Sequence, residues 1–305
     1  MTARFALILV AAFALVRGAA AQGPLVDASW LAANLEAPGV VALDIRADRK
    51  DYERAHVPGA IHSSYARDGW RVTGATGTPD MLPGPSALGA LIGGLGIGND
   101  DHVVVVAAGT SAADMSSATR VYWSFRMASH AKVSVLDGGM AAWSADPMSP
   151  VEAGERKRQA QLFKVTPLPR LVASRADVQH AIGARAPLAD IRPSDQYLGV
   201  NKTAKVARRG TLPGAVNLPD SWLTQDNGGK FRSAAALRKL VASAGVPVDG
   251  DVIAFCNTGQ LGSIGWFVLS EILGNPRARL YDGSMVEWAA DPAAPIVVKI
   301  DSSGT

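Results

Sequence analysis

Leu136-Asp137-Gly138-Gly139-Met140-Ala141-Ala142-Trp143 is echoed 145 positions later by Tyr281-Asp282-Gly283-Ser284-Met285-Val286-Glu287-Trp288. An Asp-Gly pair, a methionine and a tryptophan at one fixed spacing mark an internal repeat. Reading outward, Asp101-His102-Val103-Val104-Val105-Val106 answers to Asp251-Val252-Ile253-Ala254-Phe255. His56-Val57-Pro58-Gly59-Ala60-Ile61 answers to Thr211-Leu212-Pro213-Gly214-Ala215-Val216, and Asp44-Ile45-Arg46 to Asp190-Ile191-Arg192. The four matches keep one order, so the chain is two copies of one domain. The offset is 146 at the Asp-Ile-Arg match and 155 at the Pro-Gly-Ala match. The second copy therefore carries nine extra residues, between Gly199 and Gly210.

Within each copy, short apolar runs alternate with helical patterns. Val40–Asp44, Val103–Ala107 and Lys132–Leu136 read as buried strands, and Pro85–Leu95 and Thr119–Ala128 as helices. Pro187–Asp190, Val252–Phe255 and Arg279–Tyr281 repeat the strands; Ser233–Ala244 and Ile264–Leu273 repeat the helices. Such alternation predicts an α/β fold, a mainly parallel sheet with helices on both faces in each copy. Gly93–Gly98 precedes a strand rather than opening a helix, so it is a helix-ending turn and not a dinucleotide fingerprint. The copies span residues 24–147 and 169–299. The linker, 148–168, lies in a stretch from Asp146 to Arg170 rich in Pro, Lys, Arg and Gln.

The chain has 305 residues and is 48% hydrophobic, enough for one large or two ordinary domains. Residues 1–21 read apart: Arg4, an apolar run Phe5–Val16, then Ala19-Ala20-Ala21. That is the layout of a secretory signal peptide, too short in its apolar part to span a bilayer, with an ordinary N-terminal helix or anchor as the alternative. It predicts a periplasmic or secreted protein with no membrane association after cleavage. The formal charge of +3 includes Arg4 and Arg17; without them 28 basic residues face 27 acidic ones. No general electrostatic case for a nucleic-acid partner survives.

Cys256 is the only cysteine, so no intrachain disulfide can form. It stands at the end of the most apolar strand of the second copy, before Asn257-Thr258-Gly259-Gln260-Leu261-Gly262-Ser263 and a helical pattern. A strand, a Gly-containing loop and a helix N-terminus gather backbone N–H groups that favour an anion. A cysteine there is expected to have a depressed pKa and to react as thiolate. The bland alternative is a buried thiol acting as a small hydrophobe. The first copy has Ala107 or Ala108 at the matching place, so only one of two sites can work.

At these residues the chain resembles the tandem-domain rhodanese family, the thiosulfate and 3-mercaptopyruvate sulfurtransferases. The two Asp-Ile-Arg strand ends, the Pro-Gly-Ala turns, Arg120-Val121-Tyr122-Trp123, and the two Asp-Gly loops carry the resemblance, over roughly Leu25 to Val298. So does a cysteine confined to the second copy. The resemblance implies two rhodanese-like domains and nucleophilic sulfur transfer through a Cys256 persulfide, with no metal or organic cofactor. It implies as partners a small sulfur-containing donor and a thiol or cyanide-like acceptor. Export adds a periplasmic protein as a candidate acceptor.

Several positions depart from the family. Thiosulfate enzymes place Arg and Lys after the cysteine, where Asn257 and Thr258 stand here. Mercaptopyruvate enzymes place Gly and Ser, which Thr258 approaches. The family arginine before Tyr197-Leu198-Gly199 is Gln196. Lys202, Lys205, Arg208 and Arg209 in the inserted segment are therefore candidates to receive an anionic donor; a solvated basic loop is the alternative. His56 matches the family histidine before Pro-Gly-Ala. It is a candidate for a proton relay with Asp44 or Asp48 and Thr258, or a structural residue of the turn. The candidate catalytic residues are thus Cys256, Thr258 and His56. Asn257, Gly259, Gln260, Leu261, Gly262, Gln196, Lys202, Arg208 and Arg209 are the candidates for substrate contact. His62, His102, His130 and His180 show no metal-ligand spacing and are expected at the surface. Trp123, Trp143, Trp222 and Trp288 are expected in the core or an interface. Thiosulfate is the expected donor, since an exported location suits an inorganic one, with 3-mercaptopyruvate as the alternative. A non-catalytic persulfide carrier or interaction protein is a rival reading. A cysteine phosphatase is the other, but it needs an arginine six residues after the cysteine, where Gly262 stands.

Overall fold

The computed structural model describes residues 23–301 apart from Asn227. The expected export segment, residues 1–21, lies outside the described residues. The first sheet is built from β1 (Leu25–Val26), β2 (Val40–Asp44), β3 (Ile61–His62), β4 (His102–Val106) and β5 (Val133–Leu136). The second is built from β6 (Val172–Ala173), β7 (Leu188–Asp190), β8 (Val216–Asn217), β9 (Val252–Phe255) and β10 (Ala278–Tyr281). The orders are β1-β5-β4-β2-β3 and β6-β10-β9-β7-β8, the same topology twice, with every pairing parallel. Parallel sheets are covered on both faces, so their strands are apolar throughout rather than alternating. Val103–Val106 and Val252–Phe255 meet that condition: every residue is buried.

The helices are α1 (Ala28–Asn34), α2 (Arg49–Arg54), α3 (Pro85–Gly94), α4 (Ala112–Met127), α5 (Gly139–Ser144), α6 (Arg175–Ala184), α7 (Ser194–Leu198), α8 (Ala234–Ser243), α9 (Gln260–Phe267) and α10 (Ser284–Trp288). The glycine-rich turn after α3 ends that helix, as expected, with Gly96 at φ +76°. α4 begins seven residues before the expected Thr119. Ser111 caps it by accepting from Asp114 N–H. Ser116, Thr119 and Arg120 are buried in it, and these polar residues on a buried face hide its apolar period.

α4 and α9 pack against each other, and one apolar cluster runs unbroken from Val41 in the first copy to Leu280 in the second. Tyr122 meets Phe267 edge-on at 4.9 Å between ring centres, and its hydroxyl donates to Glu271 at 2.6 Å. The segment 148–168 forms no helix or strand beyond one bridge, His56 to Glu152, yet it is fastened to the first copy. Gln161 N–H donates to the Gly93 carbonyl, Leu168 N–H to that of Met127, and Phe163 is buried. Two expectations fail at the side-chain level. Trp222 is 42% exposed rather than packed, and His130 is buried between Phe125 and Phe163 rather than lying at the surface. Trp123, Trp143 and Trp288 are buried.

Candidate active site

The Asp-Ile-Arg and Asp-Gly motifs build the floor of each site. Asp190 and Arg192 form a buried ion pair at 2.5 Å, and Arg192 also donates to the Gly210 carbonyl. Thr211 Oγ1 donates to Asp190, which ties the Pro-Gly-Ala turn to the strand end. In the first copy Arg46 pairs with Asp44 at 2.7 Å and donates to the Ala55 carbonyl. The motif is therefore a clamp that closes the β2 and β7 ends.

Cys256 follows β9 directly and is 1% exposed. Its carbonyl accepts from Met285 N–H and that of Asn257 from Val286 N–H. In the first copy Ala107 and Ala108 accept from Met140 and Ala141 in the same way. This settles the counterpart of Cys256 as Ala107. Beyond it the chain bends through Gly259, at φ +76°, into α9. A Cβ on Gly259 would lie 2.7 Å from both Arg120 Nη1 and the Asp282 carbonyl oxygen, so only glycine fits.

The bend directs the N–H groups of Gly262, Thr258 and Gly259 at the Cys256 sulfur. Ser284 staples the loop from beneath. Its hydroxyl accepts from Cys256 N–H and Gly259 N–H, both at 3.1 Å, and donates to the Tyr281 carbonyl. Ser284 adopts φ +49°, where the first copy has Gly139 at φ +55°. Sequence reasoning missed Ser284; a serine replacing a glycine at one place in a repeat was the available signal.

The expected depression of the Cys256 pKa is overturned. Burial pushes the thiol up, the three N–H groups pull it down, and the Asp190 carboxylate pushes it up further; the net direction is upward. The loop favours an anion as expected, but burial of the sulfur outweighs it.

A cleft of 360 Å³ opens onto the sulfur. Asn257, Thr258, Gln260 and Leu261 line it, together with Thr203, Ala204 and Lys205 of the insertion and Arg71 of the first copy. Gly259 and Gly262 do not line it; they contribute backbone N–H groups to the Cys256 sulfur. The other proposed contacts lie elsewhere. Gln196 stands one residue back, its carbonyl accepting from the Asn257 amide at 2.8 Å. Arg208 turns away, donating to the carbonyls of Ala289, Asp291 and Ala294. It is a tie between the insertion and the C-terminal loop, because three carbonyls occupy its guanidinium. Lys202 and Arg209 are exposed outside the cleft.

His56 is fully buried in the first copy, stacked on Tyr52 at 4.1 Å, with Nδ1 2.8 Å from the Tyr52 carbonyl. It neither lines the cleft nor touches Thr258, so the expected relay has no path; the histidine ties down its own turn. The first copy instead sends Arg120, which forms a buried ion pair with Asp282 at 2.5 Å. Asp282 also accepts from Leu82 N–H across the interface. Tyr65, buried and within electrostatic reach of Cys256 and Arg120, carries a hydroxyl with no hydrogen-bond partner. Among the described residues no cluster of His, Cys, Asp or Glu could hold a metal, and no helix is long and apolar enough to cross a membrane.

The model of the rhodanese-like domain matches the chain twice, over residues 27–146 and 174–291. The chain belongs to the rhodanese family. Its relatives include the protein named "Putative thiosulfate sulfurtransferase 1" of Mycobacterium bovis, 32% identical over 279 residues, 89% of this chain and 96% of the relative. A Haloferax volcanii relative named a thiosulfate sulfurtransferase in the same terms is 30% identical over 90% of this chain and 96% of its own. Among solved structures, SseA of Escherichia coli, described as a 3-mercaptopyruvate sulfurtransferase with the rhodanese fold, superposes with a TM-score of 0.74. It is 27% identical, with 86% of this chain and 99% of that one covered. The anaerobic ergothioneine biosynthesis enzyme of Chlorobium limicola shares the fold at a TM-score of 0.77 and 20% identity, over 91% of this chain and 70% of its own.

Proposed function

We propose that this rhodanese-family chain is a sulfurtransferase that moves the outer sulfur of thiosulfate to a thiophilic acceptor through a persulfide on Cys256. One observation carries the reading: the single cysteine sits under three backbone N–H donors at the base of an open cleft. The thiol gives its proton to solvent, and the thiolate attacks the outer sulfur of the donor. The donor's S–S bond breaks, and sulfite leaves with the electron pair. The resulting persulfide anion meets the same N–H groups, which are fixed in place before reaction. An acceptor thiolate or cyanide then attacks the outer sulfur, and Cys256 leaves as thiolate, which closes a two-step cycle.

A second reading keeps the Cys256 persulfide and changes the donor to 3-mercaptopyruvate: the thiolate attacks the donor sulfur, its C–S bond breaks, and pyruvate leaves as the enolate, which takes up the proton that the donor sulfur gives up. Thr258 in the cleft and the likeness to SseA favour it. The layout of residues 1–21 supports export, which would put a periplasmic thiol protein within reach as acceptor. Cys256→Ser is expected to abolish transfer from both donors. Transfer retained in that variant would sink the mechanism. Mass spectrometry of the intact protein after incubation with each donor should show a gain of one sulfur that is lost on adding acceptor. A gain that acceptor never removes would point to a carrier instead.

A further inference from the structure

We infer that Arg71, from the first copy, and Lys205, from the insertion in the second, hold the anionic head of the sulfur donor over Cys256; this deepens the sulfurtransferase reading and rests on it. Both residues line the cleft together with Cys256. Among its described lining residues they are the only cations, because Asn257 and Thr258 occupy the loop positions next to the cysteine and are neutral. The nearby alternatives are committed: Arg120 to Asp282 and Arg208 to three carbonyls.

Asp80 holds the pair in place. Arg71 Nη1 stands 3.2 Å from one of its carboxylate oxygens, and Lys205 Nζ pairs with the other. Two cations against one carboxylate leave one positive charge at the mouth of the cleft. The Arg71 guanidinium also lies over the Tyr65 ring, 4.6 Å from its centre, which fixes the plane of its fork. Its Nε is buried with no hydrogen-bond partner, a donor left for an acceptor that the protein itself does not supply. A planar fork and an ammonium with further donors to offer suit a three-oxygen head such as that of thiosulfate. When the S–S bond breaks, the same head departs as sulfite, so the cations face the atom group that receives the electron pair.

The test uses the full chain carrying Cys256→Ser, which binds without transferring, titrated calorimetrically with thiosulfate and, separately, with 3-mercaptopyruvate. Adding Arg71→Gln or Lys205→Gln should weaken thiosulfate binding about tenfold, the loss of one charge-assisted hydrogen bond. Arg71→Lys should recover part of that loss, which a merely structural role would not produce. Lys205 is 55% exposed, so Lys205→Gln decides the matter should Arg71→Gln fail to fold. Unchanged affinity in both glutamine variants, or no binding of either donor, overturns the inference. If affinity depends on both cations while the chain with Cys256 intact transfers sulfur from neither donor, the sulfurtransferase reading falls and the anion site stands.

Discussion

At Cys256, burial and backbone donors oppose each other over one sulfur. Desolvation wins, so at neutral pH less of the thiol is ionised than in an exposed cysteine, and the thiolate fraction grows as pH rises. Sulfite release in a single turnover with thiosulfate is therefore expected to go on accelerating as pH rises through and beyond the ordinary thiol pKa of about 8.5, because the shift is upward. A rate already flat from neutral pH upward would mean that the donors outweigh burial. The position of Cys256 was legible because a strand-end loop can be read from local pattern. Its pKa was not, because burial depends on what the first copy lays over it. The same holds for His56 and Arg208: their residue types suggested chemistry, but contact alone reveals that the Tyr52 carbonyl takes His56 Nδ1 and three carbonyls take the Arg208 guanidinium.

The loop and α9 act as one element. Gly259 makes the bend, Ser284 secures it, and the bend aims three N–H groups at one sulfur. Gly259→Ala puts a Cβ against the Asp282 carbonyl and holds an L-residue at φ +76°. Left-handed backbone costs such a residue about 1–2 kcal/mol, and the bend would shift. Displaced donors should lower the transfer rate by about a hundredfold, while circular dichroism of the folded chain stays near that of the parent. A variant with full activity would show that the N–H groups do not stabilise the sulfur anion. The three inner strands of each sheet followed from apolar runs; the two-residue edge strands β1, β3, β6 and β8 did not, being too short to carry a pattern. The start of α4 did not, because Ser116, Thr119 and Arg120 are buried against the second copy, where Thr119 and Ser263 hydroxyls meet at 2.8 Å.

Across the whole molecule, the first copy completes the cleft of the second. Arg120 reaches from α4 to Asp282 at full burial, and Asp282 in turn holds the Leu82 backbone. Breaking a buried pair by removing one partner is strongly destabilising, so Arg120→Leu should cost about 3–5 kcal/mol in urea unfolding. Arg120→Met combined with Asp282→Leu should cost less than the single change, because no buried charge is left alone. Equal losses in both would assign the effect to packing rather than charge. The first copy also lends Arg71 to the cleft, although Ala107 stands where the second copy has Cys256.

Duplication, α/β class and the place of Cys256 in a strand-end loop were determined by the sequence alone, since repeats, apolar runs and strand-end loops are written in neighbouring residues. Which cations face the sulfur, which clamp the fold and which way the thiol's pKa moves were decided only in the tertiary structure. Arg71 and Cys256 are 185 positions apart, and they share a cleft because α4 and α9 bury one continuous core between the two copies.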